Sequence, residues 1–174
     1  MKSHLLLTAA PGTGKTTVMR RLAERLGDAR IAGFYTAEIR ARGARRGFRL
    51  VAYDGTEALI AHVELPKTHR VGKYGVDVAA MDRAADGALA PRPGIELYLV
   101  DEIGKMECLS ERFVVHMRRI LDGRVPVIAT VAKRGTGFIA EVKRREDCEL
   151  WTLTRTNRDA MLEQMLARLG APTR

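Results

Sequence analysis

The segment from Ala9 to Thr16 constrains the fold of this chain more than any other part of the sequence. It follows an apolar run at positions 4–8 and precedes a stretch whose apolar residues recur at helical spacing as far as Leu26. The segment matches the pattern G-x-x-x-x-G-K-[ST], except that Ala9 stands where the first glycine is expected. A strand, a glycine-rich loop and a helix in this order predict an α/β domain built on a parallel sheet.

The rest of the chain predicts further strands and helices. Residues 31–63 predict an antiparallel meander with turns at Gly43 and at the Asp54-Gly55 pair, and the polar stretch 66–75 predicts a loop. Further helices are predicted around 78–89, 113–121, 138–142 and 161–169, and further strands at 97–100, 126–131 and 149–153. Thr156 and Asp159 have the spacing of a capping box before the last helix. We therefore expect an α/β fold with a mostly parallel sheet and an antiparallel meander insertion.

Composition limits the classes of function. The 174 residues suit one domain, expected to span positions 1–174, and 46% hydrophobic with 29% charged residues exclude a disordered chain. The 30 basic and 21 acidic side chains give a net charge of +9, which favours polyanionic partners such as nucleotides, nucleic acid or anionic lipid. A basic, solvated surface explains the same charge, and we favour it over a dedicated nucleic-acid face.

The cysteines and the apolar runs indicate a reducing environment away from the membrane. Cys108 and Cys148 are too far apart in the sequence for the spacing of a zinc site, and they do not suggest a disulfide framework. No run approaches the ~18 apolar residues of a membrane helix. We expect a cytoplasmic monomer that does not bind a membrane.

The glycine-rich loop has the composition of a phosphate-binding site. Small residues let successive backbone N–H groups close around phosphate oxygens, and the helix that follows directs its positive end at them. Lys15 is placed to reach the β and γ oxygens, and the Thr16 hydroxyl to ligate Mg²⁺. A methyl group at Ala9 is tolerable if its φ is negative. The loop residues expected to contact a nucleotide are Ala9, Ala10, Pro11, Gly12, Thr13, Gly14, Lys15, Thr16 and Thr17.

A second element with catalytic character is the apolar strand that ends in Asp101 and Glu102. At the carboxyl end of a parallel strand, Asp101 is placed to hold Mg²⁺ through water, and Glu102 to orient and polarise an attacking water. The alternative is that two acids merely end a strand in solvent. The next residues, Ile103, Gly104 and Lys105, belong to the expected nucleotide site. Lys105 and Glu107 either line the same mouth or form an exposed pair, and the sequence leaves both interpretations open.

Several arginines are candidates for phosphate contacts. The five that flank the first hairpin turn are Arg40, Arg42, Arg45, Arg46 and Arg49. We interpret them as solvation of an exposed hairpin rather than as a cluster that captures phosphates or an acidic partner. Arg134, close after the strand that ends at Thr130, is the better candidate for a transition-state arginine. Asn157 and Arg158 follow the last strand, where a base could sit, although helix capping explains Asn157 at least as well.

Six segments spread over nearly the whole chain carry a family resemblance. They are APGTGKTT at 10–17, GFYTAEIR at 33–40, GFRL at 47–50, VGKYGVDV at 71–78, DEIGKME at 101–107 and TNRD at 156–159. On these segments the chain resembles the small P-loop nucleoside-triphosphatase family that includes human cancer-related nucleoside triphosphatase. The resemblance implies a P-loop NTPase three-layer fold and Mg²⁺-dependent hydrolysis of nucleoside triphosphates with loose base preference. Ala9 and a changed loop at Arg134 depart from the family pattern.

The residues and the resemblance together predict a Mg²⁺-dependent phosphohydrolase of ATP, GTP and other nucleoside triphosphates. Lys15 and Glu102 are its expected catalytic residues, and Thr16 and Asp101 its expected metal ligands. A kinase for a nucleotide or a small molecule is the nearest alternative, because the same loop and metal serve any phosphoryl acceptor. A nucleic-acid-binding module that uses nucleotide as a switch is a third possibility, which only the net charge of +9 supports.

Overall fold

One nine-stranded sheet organises the computed structural model, which describes residues 3–27 and 29–171. The strands are β1 (His4–Thr8), β2 (Ile31–Ala41), β3 (Ala44–Ala52), β4 (Glu57–His62), β5 (Arg70–Val71), β6 (Tyr74–Val76), β7 (Leu97–Ile103), β8 (Val127–Val131) and β9 (Cys148–Thr152). The helices are α1 (Lys15–Leu26), α2 (Val78–Leu89), α3 (Glu111–Leu121), α4 (Phe138–Lys143) and α5 (Arg158–Arg168). A short 3₁₀ helix, Glu107–Leu109, precedes α3.

The sheet joins a parallel half to an antiparallel half in the order β5-β6-β4-β3-β2-β7-β8-β1-β9. Strands β2, β7, β8, β1 and β9 run parallel. Strands β3, β4, β6 and β5 continue the sheet as antiparallel neighbours. The α/β fold with a mostly parallel sheet and a meander insertion is thereby confirmed. Strand β2 belongs to both halves, because it pairs with β7 on one side and with β3 on the other.

Helices cover both faces of the sheet and complete three layers. On one face, Met19 and Leu22 of α1 pack with Met165 of α5 against the strands. On the other face, α2, α3 and α4 bury a larger core, in which the rings of Phe34 and Phe113 lie 6.1 Å apart. In the described part of the chain, none of the helices has the length and apolar character needed to span a bilayer. The two described cysteines are free thiols.

Two local predictions are wrong. The stretch from Pro66 to Gly75, predicted as a loop, contains β5 and most of β6. It has no apolar pattern of its own, but β6 pairs with β4 and β5 pairs with β6 at the sheet edge. The predicted capping box is absent from α5, whose N-cap is Asn157. The Asn157 side chain instead accepts from the Thr154 N–H at 2.7 Å and donates to the Thr152 carbonyl at 2.9 Å. The Asn157 side chain therefore stabilises the preceding loop and makes no capping hydrogen bond to the helix.

The close approach of β2 to β7 depends on Gly33. Its φ is +111°, and a Cβ there would lie 1.9 Å from the carbonyl oxygen of Leu99. We expect Gly33→Ala to lower the free energy of unfolding by about 4 kcal/mol or more, because the methyl group would strain the backbone and force the strands apart. Urea denaturation measures the change. Gly87→Ala in α2, where a Cβ meets open space, is the control and should stabilise by up to about 1 kcal/mol. Equal stability of Gly33→Ala and the parent would contradict this packing.

Candidate active site

The loop between β1 and α1 has the geometry of an anion-binding site. Gly12 and Gly14 have positive φ angles, and the Thr13 hydroxyl donates to the Ala10 carbonyl at 2.6 Å. Helix α1 begins at Lys15, and no side chain caps it. The N–H groups of its first turn are therefore directed into the loop, where an anion can accept from them. Among the described residues only Arg42 is a non-glycine with positive φ, so Ala9 has the negative φ that its methyl group requires.

Asp101 lies at the base of this loop because only one strand, β8, separates β7 from β1, the strand that leads into the loop. Its carboxylate is buried and accepts hydrogen bonds from the hydroxyls of Thr130, at 2.5 Å, and of Thr16. Burial raises the pKa of Asp101, and the two hydroxyl donors oppose that rise. The Thr16 and Asp101 oxygens thus lie together, and oxygen ligands of this kind are those that Mg²⁺ prefers. The described residues include no group of three or more His, Cys, Asp or Glu side chains that could hold a metal ion.

Glu102, the residue after Asp101, contacts the loop. Its carboxylate lies 2.7 Å from the Lys15 ammonium, and both side chains remain partly exposed. The side chains of Lys15, Thr16, Asp101 and Glu102 therefore meet at one place, although 85 positions separate the two members of the hydrogen-bonded pair Thr16 and Asp101. An ammonium group and a carboxylate thus stand side by side. The alternative that the two acids merely end a strand in solvent does not fit this arrangement.

The carboxyl group of Glu107 is buried. It lies close to Gly104, and so does the carboxyl group of Glu102. A Cβ at Gly104 would lie 2.8 Å from a Glu107 oxygen and 3.0 Å from a Glu102 oxygen, so both carboxyls approach the same backbone position. Burial raises the pKa of Glu107 to about 8, and the neighbouring charges of Glu102 and Asp101 add to the rise. Glu107 is thus not half of an exposed pair with Lys105.

The raised pKa of Glu107 predicts a pH-dependent stability. Its ordinary value is 4.5, so between pH 4.5 and about 8 the folded protein holds a proton that the unfolded chain releases. The stability linked to this proton is fully present below pH 4.5 and is lost as the pH rises through about 8. We expect Glu107→Gln to flatten that decline in urea denaturation, whereas Glu146→Gln, at an exposed position, should leave the parent slope unchanged. A parent slope in Glu107→Gln would contradict the buried protonated carboxyl.

A cleft of about 380 Å³, called the phosphate cleft below, opens between the loop and the meander. From the loop and β7 it is lined by Pro11, Gly12, Lys15, Thr16, Asp101 and Glu102, and Lys105 and Glu107 lie along it as well. Thr13, Gly14 and Thr17 line a second cleft across the loop, beside Arg20 and Tyr35. Ala9 and Ile103 are buried in the two cores, Gly104 is buried and Ala10 is exposed. None of these four side-chain positions lines either cleft.

Comparisons with known proteins show the family of this chain. The family model described as NTPase matches residues 4–166. This chain belongs to the NTPase family. Within the NTPase family, nucleoside-triphosphatase THEP1 of Thermotoga petrophila is 40% identical over 166 residues, which cover 93% of this chain and 90% of the relative.

Two solved structures of NTPase family members superpose on the whole fold. The crystal structure of THEP1 from the hyperthermophile Aquifex aeolicus has a TM-score of 0.79 at 35% identity and covers 95% of this chain and 98% of that one. The solution structure of a human cancer-related nucleoside triphosphatase has a TM-score of 0.80 at 30% identity and covers 98% of this chain and 99% of that one. The resemblance drawn from the sequence motifs is confirmed.

Some residues of this NTPase family site escape sequence reasoning. Thr130, the buried partner of Asp101, is the fourth residue of the strand β8 and has no motif of its own. The meander contributes Thr36, Glu38, Arg45, Phe48 and Val71 to the phosphate cleft. The hairpin arginines stay interpreted as solvation: Arg46 and Arg49 pair with Glu64 and Glu57 at the surface. Arg45 is exposed as well, and it also lines the phosphate cleft. Arg134 is exposed and lies outside the residues that line either cleft.

Arg158 lies beside the phosphate loop, as its position after the last strand suggests. A Cβ at Gly14 would lie 3.5 Å from the Arg158 guanidinium. Arg158 itself is exposed to solvent, at the first position of α5. A nucleotide base at this place stays a prediction.

Proposed function

We propose that this chain hydrolyses nucleoside triphosphates to the diphosphate and inorganic phosphate. The observation that carries the proposal is the 2.7 Å contact between Lys15 and Glu102 next to the buried Asp101. It brings together a cation for phosphate oxygens, a carboxylate for a water molecule and a buried acid of the kind that holds a metal. The names of the relatives, which are nucleoside-triphosphatases, support the same activity.

Lys15 and the N–H groups of the loop bind the β- and γ-phosphates in this proposal. The positive end of α1 adds to their attraction, because no side chain already accepts from its first turn. Thr16 and Asp101 would hold Mg²⁺, and their paired oxygens support that assignment. When bound, the ion would neutralise charge on the β and γ oxygens.

Glu102 orients the water that attacks the γ-phosphorus. The water oxygen forms a bond to phosphorus as the bond from phosphorus to the β–γ bridging oxygen breaks, and that electron pair leaves with the diphosphate. One water proton passes to Glu102, which later returns it to solvent. Because Glu102 also contacts Lys15, the bound phosphates and the carboxylate compete for the same ammonium.

A turnover assay over several triphosphates tests the proposal. ATP, GTP, CTP and UTP are each incubated with the protein in the presence of Mg²⁺ or of a chelator, with and without candidate acceptor molecules, and both free phosphate and phosphorylated product are measured. We expect free phosphate with each base, only when Mg²⁺ is present. Transfer of the γ-phosphoryl group to an acceptor, without free phosphate, would instead favour a kinase.

A further inference from the structure

The hairpin formed by β2 and β3 rises above the edge of the sheet where the phosphate cleft opens. Tyr35 of β2 lies opposite Asp101 of β7, and β2 continues to Ala41. At ~3.3 Å per residue, Glu38 lies roughly 10 Å beyond the level of Asp101. The hairpin therefore forms a wall of the cleft that faces the phosphate loop.

Arg45 projects from this wall in a defined position. Its guanidinium lies 2.8 Å from a Glu38 oxygen and 5.6 Å from the centre of the Phe48 ring. Glu38 and Phe48 face each other across the two strands, so the contacts to Arg45 come from one side of the hairpin. Stacking on a ring and pairing with a carboxylate restrict the long side chain before any ligand arrives.

The remaining donors of Arg45 are accessible from the cleft. A guanidinium carries five N–H donors, and the Arg45 side chain is 45% exposed. Glu38 also accepts from Arg40, at 2.8 Å, so its carboxylate keeps a partner when Arg45 turns towards another anion. Arg45 can therefore exchange Glu38 for a phosphoryl oxygen without leaving an unpaired carboxylate.

The rate of phosphoryl transfer is raised strongly by a cation that neutralises the charge on the transferring group in the transition state. Lys15, Glu102 and Arg45 line the same cleft of about 380 Å³, whereas Arg134 does not line it. We propose that Arg45 is the transition-state arginine of this enzyme, supplied by its own β2–β3 hairpin, and that Glu38 positions it. The inference rests on the proposed triphosphate hydrolysis and assigns one further catalytic residue to it.

Arg45→Ala tests this assignment against Arg46→Ala. Arg46 is the next residue of the same strand, and it pairs with Glu64 instead of lining the cleft. Its replacement by alanine removes the same charge as the replacement of Arg45. We expect Arg45→Ala to lower kcat about 10³-fold with little change in triphosphate affinity, and Arg46→Ala to keep the parent kcat. Both variants should keep the parent melting temperature, since both side chains lie at the surface. Equal kcat values for Arg45→Ala and Arg46→Ala would overturn the assignment.

A transition-state mimic provides a readout other than turnover. Aluminium fluoride with ADP and Mg²⁺ imitates the transferring phosphoryl group, and it should tighten ADP binding in the parent and in Arg46→Ala but not in Arg45→Ala. Tightening in Arg45→Ala equal to that of the parent would refute the inference. Glu102→Gln is assayed alongside and separates the two proposals. If Glu102→Gln keeps the parent turnover while Arg45→Ala loses the tightening by aluminium fluoride, water activation by Glu102 is contradicted and the assignment of Arg45 is supported.

Discussion

Lys15→Ala is expected to abolish triphosphate turnover and to weaken triphosphate binding by about 10²-fold, without unfolding the protein. Charge-assisted hydrogen bonds contribute roughly 1.5–3 kcal/mol each, and tenfold in affinity corresponds to about 1.4 kcal/mol. Lys15 contacts Glu102 rather than either core, and Glu102 is partly exposed, so water can solvate it when the ammonium is removed. The free energy of unfolding should therefore change little.

Titration with a fluorescent triphosphate, phosphate release and thermal unfolding together measure this prediction. Lys67→Ala is the matched control, because Lys67 donates to the Val63 carbonyl at 2.6 Å and lies outside both clefts. We expect that control to keep the parent affinity and turnover. A folded Lys15→Ala protein with near-parent activity would contradict the assignment of the phosphate loop.

Local patterns were sufficient to predict the half of the site that belongs to consecutive elements. The strand before Ala9, the glycine-rich loop and the helix from Lys15 to Leu26 are neighbours in sequence and in space, so spacing alone predicted their geometry. Asp101 followed from a second local pattern, an apolar strand with a terminal acid. These signals succeed because a parallel strand, a tight loop and a helix each depend mainly on nearby residues.

The other half of the site depends on strand register, which sequence alone did not supply. In the sequence, Arg45 is indistinguishable from any other exposed hairpin arginine. The pairing of β2 with β7 is what places the hairpin over the phosphate loop. The burial of Glu107 depends likewise on the short 3₁₀ helix after β7, which has no periodic signature. Short strands such as β5 and β6 follow their neighbour's hydrogen bonds and carry no apolar pattern of their own.

The second large effect is expected in Glu102→Gln, which should lose about 10²–10⁴-fold in kcat. Glutamine keeps the size and the hydrogen-bonding capacity of the side chain but cannot accept the proton of the attacking water. The substitution also removes the carboxylate that lies 2.7 Å from the Lys15 ammonium. Triphosphate binding should therefore be equal to that of the parent or tighter, because phosphate oxygens no longer compete with Glu102 for the ammonium.

This combination of slower turnover and undiminished affinity distinguishes a water-activating base from a residue that merely supports the fold. Glu24→Gln, an exposed position on α1, removes the same charge and should match the parent in both quantities. Fluorescent-triphosphate titration and single-turnover phosphate release separate binding from chemistry. If Glu102→Gln releases phosphate at the parent rate, water is activated elsewhere or hydrolysis is a side reaction of phosphotransfer, because this variant has no carboxylate at position 102 to accept the proton of the water.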